Sequence, residues 1–195
     1  MLILKNEIKE VFKTLGMPEG LTVSRNNRTK FVAISGQCGE PVLTITKVEI
    51  GAKLTKAERE ILINDYIVPA LTVNKKAVLD YIKLRKDTTV DDDLKALQDK
   101  YILKHSCKSW LNPQEGFECL SIHDNNYSIK YIPDEDVYKV IISNVEFEEA
   151  KKVIKKLLKV AKVVLPKYEG LLIKQNEIAD KVSKSKSFLN EKCGF

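Results

Sequence analysis

The sequence predicts an α+β protein built from two related α-β-β-β-α units, each an antiparallel three-stranded sheet packed on helices. Three observations carry this expectation. Short β-branched runs separated by turn residues occur in two trios, at 21–50 and 119–145. Each trio lies between segments whose apolar residues recur with helical spacing. Leu21-Thr22-Val23 followed by Asn26-Asn27 matches Leu120-Ser121-Ile122 followed by Asn125-Asn126 at an offset of 99, and Val48-Glu49-Ile50 matches Val145-Glu146-Phe147 at an offset of 97. The expected organisation is a first unit over 1–72, a connector helix over 73–90, a second unit over 91–182 and a mobile tail over 183–195.

In chain order, residues 3–15 place Leu4, Ile8, Val11, Phe12 and Leu15 on one helical face, and Gly16 ends the helix. Strands follow at 21–24, 30–34 and 42–50. The first pair is joined around Asn26-Asn27, since Asn tolerates the positive φ of tight hairpins. The second pair is joined by the turn cluster 36–41. Thr55-Lys56-Ala57-Glu58 reads as a capping box opening a helix with Ala57, Ile61, Leu62, Tyr66 and Ile67 inward, which Pro69 ends. The connector, 74–86, carries Val78, Leu79 and Ile82. Asp91-Asp92-Asp93 suits the positive end of a helix dipole, and Leu94, Leu97 and Tyr101 continue that helix. The second trio, 119–123, 127–132 and 137–145, is joined by Asp124-Asn125-Asn126 and Pro133-Asp134-Glu135-Asp136. A long helix begins near 144–148 and extends past Pro166.

Charge is unevenly distributed. The chain of 195 residues has 33 Lys+Arg against 27 Asp+Glu, net +6. Residues 1–150 are net −2, whereas residues 151–195 hold 12 Lys against 4 acids, net +8. Only 4 of the basic residues are Arg, so the surface offers point charges on flexible stems instead of bidentate forks. No apolar run is long enough to span a bilayer, and Lys5, Glu7 and Lys9 stand where a secretory leader needs apolar residues. The expectation is a cytoplasmic protein, with Cys38, Cys107, Cys119 and Cys193 reduced.

Residues 151–165 are the most informative stretch. At about 100° per residue, Lys151, Lys152, Lys155, Lys156, Lys159 and Lys162 fall within an arc of roughly 140°. Apolar residues fill the opposite side, and only Val163 strays into the basic arc. Three roles fit this pattern: a solvated face, a ridge that contacts phosphates, or a helix for a membrane surface or partner groove. The membrane role is disfavoured because the apolar face carries no Trp or Phe and is needed to cover the second strand trio.

The α-β-β-β-α order resembles the double-stranded-RNA-binding domain, and Gly51-Ala52-Lys53-Leu54-Thr55-Lys56-Ala57 resembles that family's glycine- and lysine-containing entry into its last helix. The resemblance implies a basic helix start facing phosphates across a groove. The chain departs from the pattern in three places: a short loop around Asn26, Glu58 and Glu60 among the basic positions, and Glu148-Glu149 opening the corresponding later helix. The likeness is one of element order and one short motif, and no family is assigned from it.

Candidate chemistry is sparse. His105 and Cys107, followed by Cys119 and His123, are the donor types of a zinc site, without the close Cys-x2-4-Cys pairing of a zinc knuckle. Cys38 in Ser35-Gly36-Gln37-Cys38-Gly39 sits in a turn between strands, not at a helix start that lowers a thiol pKa. No P-loop, dinucleotide fingerprint, nucleophile elbow or H-E-x-x-H is present. Trp110 is expected as a buried anchor. The sequence therefore points to a non-enzymatic protein, with no cofactor and no metal, that contacts nucleic-acid backbone. The expected contacts are Lys152, Lys155, Lys156, Lys159 and Lys162, extended by Arg25, Arg28, Lys53 and Lys56. The rival expectation is a protein-interaction or assembly module, such as a phage-encoded inhibitor or virion accessory factor, using the sheet surface or the Trp110 loop and leaving the lysines to solvation.

Overall fold

The computed structural model describes residues 5–36, 41–51, 54–143 and 147–192. The chain forms two compact units, Met1–Lys86 with Lys181–Phe195, and Asp87–Asp180. The class is α+β, with two antiparallel sheets of three and four strands packed on helices, one of them a long C-terminal helix.

The first unit begins with α1, Lys5–Thr14. Its strands β1, Thr22–Asn26, β2, Phe31–Ser35, and β3, Pro41–Ile45, pair in the order β1-β2-β3. A continuous helical run follows: α2, Lys56–Ile61, a π-helical turn, Leu62–Ile67, and α3, Val68–Lys86. Val23, Ile34 and Leu43 lie side by side in register on one sheet face. They share a core with Ile8 and Phe12 of α1 and with Leu62, Ile67, Leu71 and Val78 of the helical run. Burying each such side chain stabilises the fold by about 1.5–3 kcal/mol relative to exposure.

The second unit holds α4, Thr89–Lys100, then β4, Ile102–Cys107, β5, Phe117–Asp124, β6, Tyr127–Ile132, and β7, Val137–Ile142. The sheet order is β4-β5-β6-β7, each pair antiparallel. Leu120, Ile122 and Ile129 are buried with Leu94 of α4 and with Leu157, Ala161, Val164, Leu165 and Tyr168 of α5, Phe147–Lys192. The helix thus covers one face of the sheet.

Several expectations are corrected. The second sheet has four strands, not three, because Ile102–Cys107 leaves the helical period at Tyr101, whose φ of −137° is extended, and pairs with β5. The third strand of the first sheet ends at Ile45 instead of residue 50. Lys47 takes φ +57°, turning the chain so that the Val48 amide donates to the Lys30 carbonyl. The hairpin after β1 is not tight at Asn26-Asn27. Asn26 pairs with Phe31, its side-chain oxygen accepts from the Arg28 and Thr29 amides, and Lys30 takes the positive φ. In β5–β6 the two-residue loop is Asn125-Asn126, with Asn125 at φ +43°.

Pro69 does not end its helix. The π turn immediately before it widens the backbone where the ring would otherwise press on the Asp65 carbonyl, and the helix continues to Lys86. Ala57 and Ile61, both expected to face inward, are exposed, whereas Leu62 and Ile67 are buried. At the C-terminal end, residues 183–192 are helical, and Leu189 (1% exposed) belongs to the first unit's core, where a mobile tail was expected. The strand expected to reach residue 145 stops at Ile142.

Candidate nucleic-acid interface

Good helix formers dominate α5, and its register is set by burial of Leu157, Ala161, Val164, Leu165 and Tyr168 on the sheet. That choice turns Lys151, Lys152, Lys155, Lys156, Lys159 and Lys162 outward, all exposed, over a rise of about 17 Å. Val163 stands among them at 72% exposure. No ion pair among the described residues involves Lys152, Lys155, Lys156, Lys159 or Lys162. Lys162 Nζ lies 5.8 Å from the ring centre of Tyr138 on β7, a cation–π contact that fastens the end of the ridge to the sheet edge. Pro166 lies within the helix on an exposed turn, where it supplies no amide to the Lys162 carbonyl.

The remaining expected contacts belong to the other unit. Arg25 donates from Nη1 to the Gly51 carbonyl at 2.8 Å and from Nη2 to the Ile50 carbonyl, so its guanidinium holds the loop after β3. Arg28 is exposed in the β1–β2 loop, and Lys56 is exposed at the first position of α2. Lys53 lies outside the described residues, as do Cys38 and Cys193. The capping box forms as expected. The Glu58 amide donates to Thr55 Oγ1 at 3.3 Å, and the Thr55 amide donates to Glu58 Oε2 at 2.8 Å, which holds the Glu58 carboxyl below its ordinary range.

The four zinc-type donors divide between opposite faces of the second sheet. His105 pairs with Leu120 in register and points to the core, with Nδ1 and the Tyr168 hydroxyl sharing a hydrogen bond at 2.9 Å and the Phe117 ring edge-on at 5.5 Å. Cys107 packs against the same core. Cys119 and His123 lie on the opposite face, beside Ser106 and Ser121 respectively. A four-ligand site needs convergent donors, and these diverge. No three His, Cys, Asp or Glu among the described residues gather to hold a metal ion.

Two surface features were missed by the sequence reading. Trp110, expected to be buried, is 86% exposed beside Leu111, 74% exposed, in the β4–β5 loop. Its hairpin is tied down at the base by Lys108, which pairs with Asp134 at 2.6 Å and donates its amide to the Gly116 carbonyl, so the loop tip stands clear of the core. The second is a basic row on the uncovered sheet face: Lys104, Lys130 and Lys139, with Ser121 between the first two. Lys130 and Lys139 lie on strands the sequence predicts, whereas Lys104 joins the row only because β4 pairs with β5. Among the described residues no helix is long and apolar enough to cross a membrane. No family model matches the chain, and no curated protein or solved structure matches it either.

Proposed function

We propose that this protein binds nucleic-acid backbone without catalysis, through the lysine ridge of α5. The observation that carries the reading is that Lys152, Lys155, Lys156, Lys159 and Lys162 are all exposed on one side of a helix whose other side is fixed by the sheet. Ammonium groups held along a rigid rod displace counterions from a polyanion, so affinity falls steeply with salt. Lys offers no bidentate base readout, so recognition is largely independent of sequence. Arg28 and Lys56 are offered as auxiliary contacts on the first unit.

The test is an anisotropy titration of single- and double-stranded DNA and RNA oligonucleotides at low and moderate salt. Binding that weakens with salt is expected, and the double replacement Lys155→Gln with Lys159→Gln lowers the log–log salt slope by about two. No binding at low salt, or binding unchanged after charge reversal at both positions, removes the proposal. The exposed Trp110 and Leu111 favour a second reading, a protein-interaction module in which the loop supplies the anchor. Under it, binding to a purified protein partner persists at high salt and is lost with Trp110→Ala while the ridge variant binds normally.

The matched segments at offsets of 99 and 97 support a common origin for the two strand trios, with β4 as an addition to the second. Residue-by-residue superposition of β1–β3 on β5–β7 tests this; a poor fit of the paired hairpins removes it.

A further inference from the structure

The four-stranded sheet has one covered face and one open face. Leu120, Ile122 and Ile129 are buried under α4 and α5. Because neighbouring residues on a strand point to opposite faces, Lys104, Ser121, Lys130 and Lys139 belong to the other side. The register sets them in line: Lys104 opposite Ser121, Ser121 opposite Lys130, Lys130 opposite Lys139. With strands about 4.8 Å apart, the row crosses all four within about 14 Å at the backbone. Lys104 and Lys139 are exposed, and Lys130 is half-buried.

This row is electrostatically unfavourable in isolation. Lys130 and Lys139 are directly opposed like charges, which weaken a sheet. Glu135, 3.6 Å from Lys139, relieves part of this, but no ion pair among the described residues reaches Lys104 or Lys130. His123 on the same face is held below its usual pKa by burial and then by Lys104 and Lys130, as a positive local potential requires. Ile102, Val137 and Ile141 are exposed on this face, but among the described residues it carries no Arg, Trp, Tyr or Phe of the kind that dominates protein interfaces. It offers the ammonium groups of Lys104, Lys130 and Lys139, donors suited to phosphate oxygens, while the Ser121 hydroxyl beneath them is buried and shares a hydrogen bond with His123 Nε2 at 2.9 Å.

The geometry points to a second phosphate-binding face on the open side of the sheet, formed by Lys104, Lys130 and Lys139, so that one chain holds two separate nucleic-acid segments. This inference rests on the reading of the α5 ridge as the first phosphate contact. The ridge points away from the covered face and the row away from the open face. Duplex DNA is stiff over about 150 base pairs, so one short duplex does not wrap from one to the other.

The experiment mixes the full chain with two short duplexes, one bearing a donor fluorophore and one an acceptor, at low salt. The wild type is expected to bind two duplexes per chain and to produce energy transfer between them. The variant carrying Lys104→Glu and Lys130→Glu is expected to keep one duplex and lose the transfer; so is the ridge variant carrying Lys155→Glu and Lys159→Glu. A Lys104→Gln and Lys130→Gln variant, which removes the like-charge strain without adding carboxylates, gives the same loss of transfer and decides the matter should the Glu variant not fold. Two duplexes per chain and unchanged transfer in a folded sheet variant overturn the second face and leave the ridge reading standing. Binding abolished by the sheet variant but untouched by the ridge variant overturns the ridge reading and, with it, the two-segment arrangement. Absence of any wild-type binding overturns both.

Discussion

Thr55 shows how far a single residue was legible. Its spacing to Glu58 is a local pattern, and the reciprocal bonds form as the spacing requires. Thr55→Ala is expected to lower stability by about 1 kcal/mol, read from the urea midpoint at constant m-value. Trp110 shows the opposite case, because composition favours burial and only the hairpin geometry decides exposure. Acrylamide is expected to quench native Trp110 fluorescence nearly as strongly as that of the unfolded chain; strong protection in the native state contradicts the exposed loop. The histidines carry a pH dependence. Burial holds His105 below 6.5, beside Tyr168 and Phe117, and burial with Lys104 and Lys130 does the same for His123. Between the folded value and 6.5 the unfolded chain binds more protons than the folded one, so stability rises with pH across that window and is lost as pH falls through it. Comparison of urea midpoints on either side of the window is expected to show a smaller difference in a His105→Gln and His123→Gln double variant than in the wild type.

At the scale of elements, α5 was the most readable because its two faces are separated by charge. The 3.6-residue period assigns every lysine of 151–162 to one side, and burial of Leu157, Val164 and Leu165 follows. Leu165→Ala is expected to destabilise the protein by about 2–5 kcal/mol through the cavity it leaves. Val163→Lys, at an exposed position within the ridge, is expected to change stability by about 0.5 kcal/mol or less and to steepen the salt slope of oligonucleotide binding by about one. Strand β4 was not readable: its six residues mix Ile, Leu, Lys, His, Ser and Cys, and without a partner strand that alternation is too short to distinguish from a loop. The helical run 56–86 was read as two helices because Pro69 normally ends one. The π turn that admits it depends on hydrogen bonding, which residue types do not reveal.

For the whole molecule, α5 contributes to both cores: Leu165 and Tyr168 lie in that of the second unit, while Val182 and Leu189 pack in that of the first. Truncation after Asp180 is therefore expected to speed amide exchange in β1–β3 and leave β4–β7 protected. Equal protection in both sheets would show that residues 181–192 add nothing to the first core. The α+β class, the strand trios, the capping box and the lysine arc were determined by the sequence itself, since propensity and periodicity act over a few consecutive residues. The fourth strand, the split of the zinc-type donors between faces, the exposure of Trp110 and the row Lys104–Lys130–Lys139 were decided only by tertiary structure. The donor split and the lysine row depend on the register between paired strands, where a shift of one residue would turn those side chains to the other side of the sheet, whereas the exposure of Trp110 depends on how the β4–β5 loop leaves the sheet.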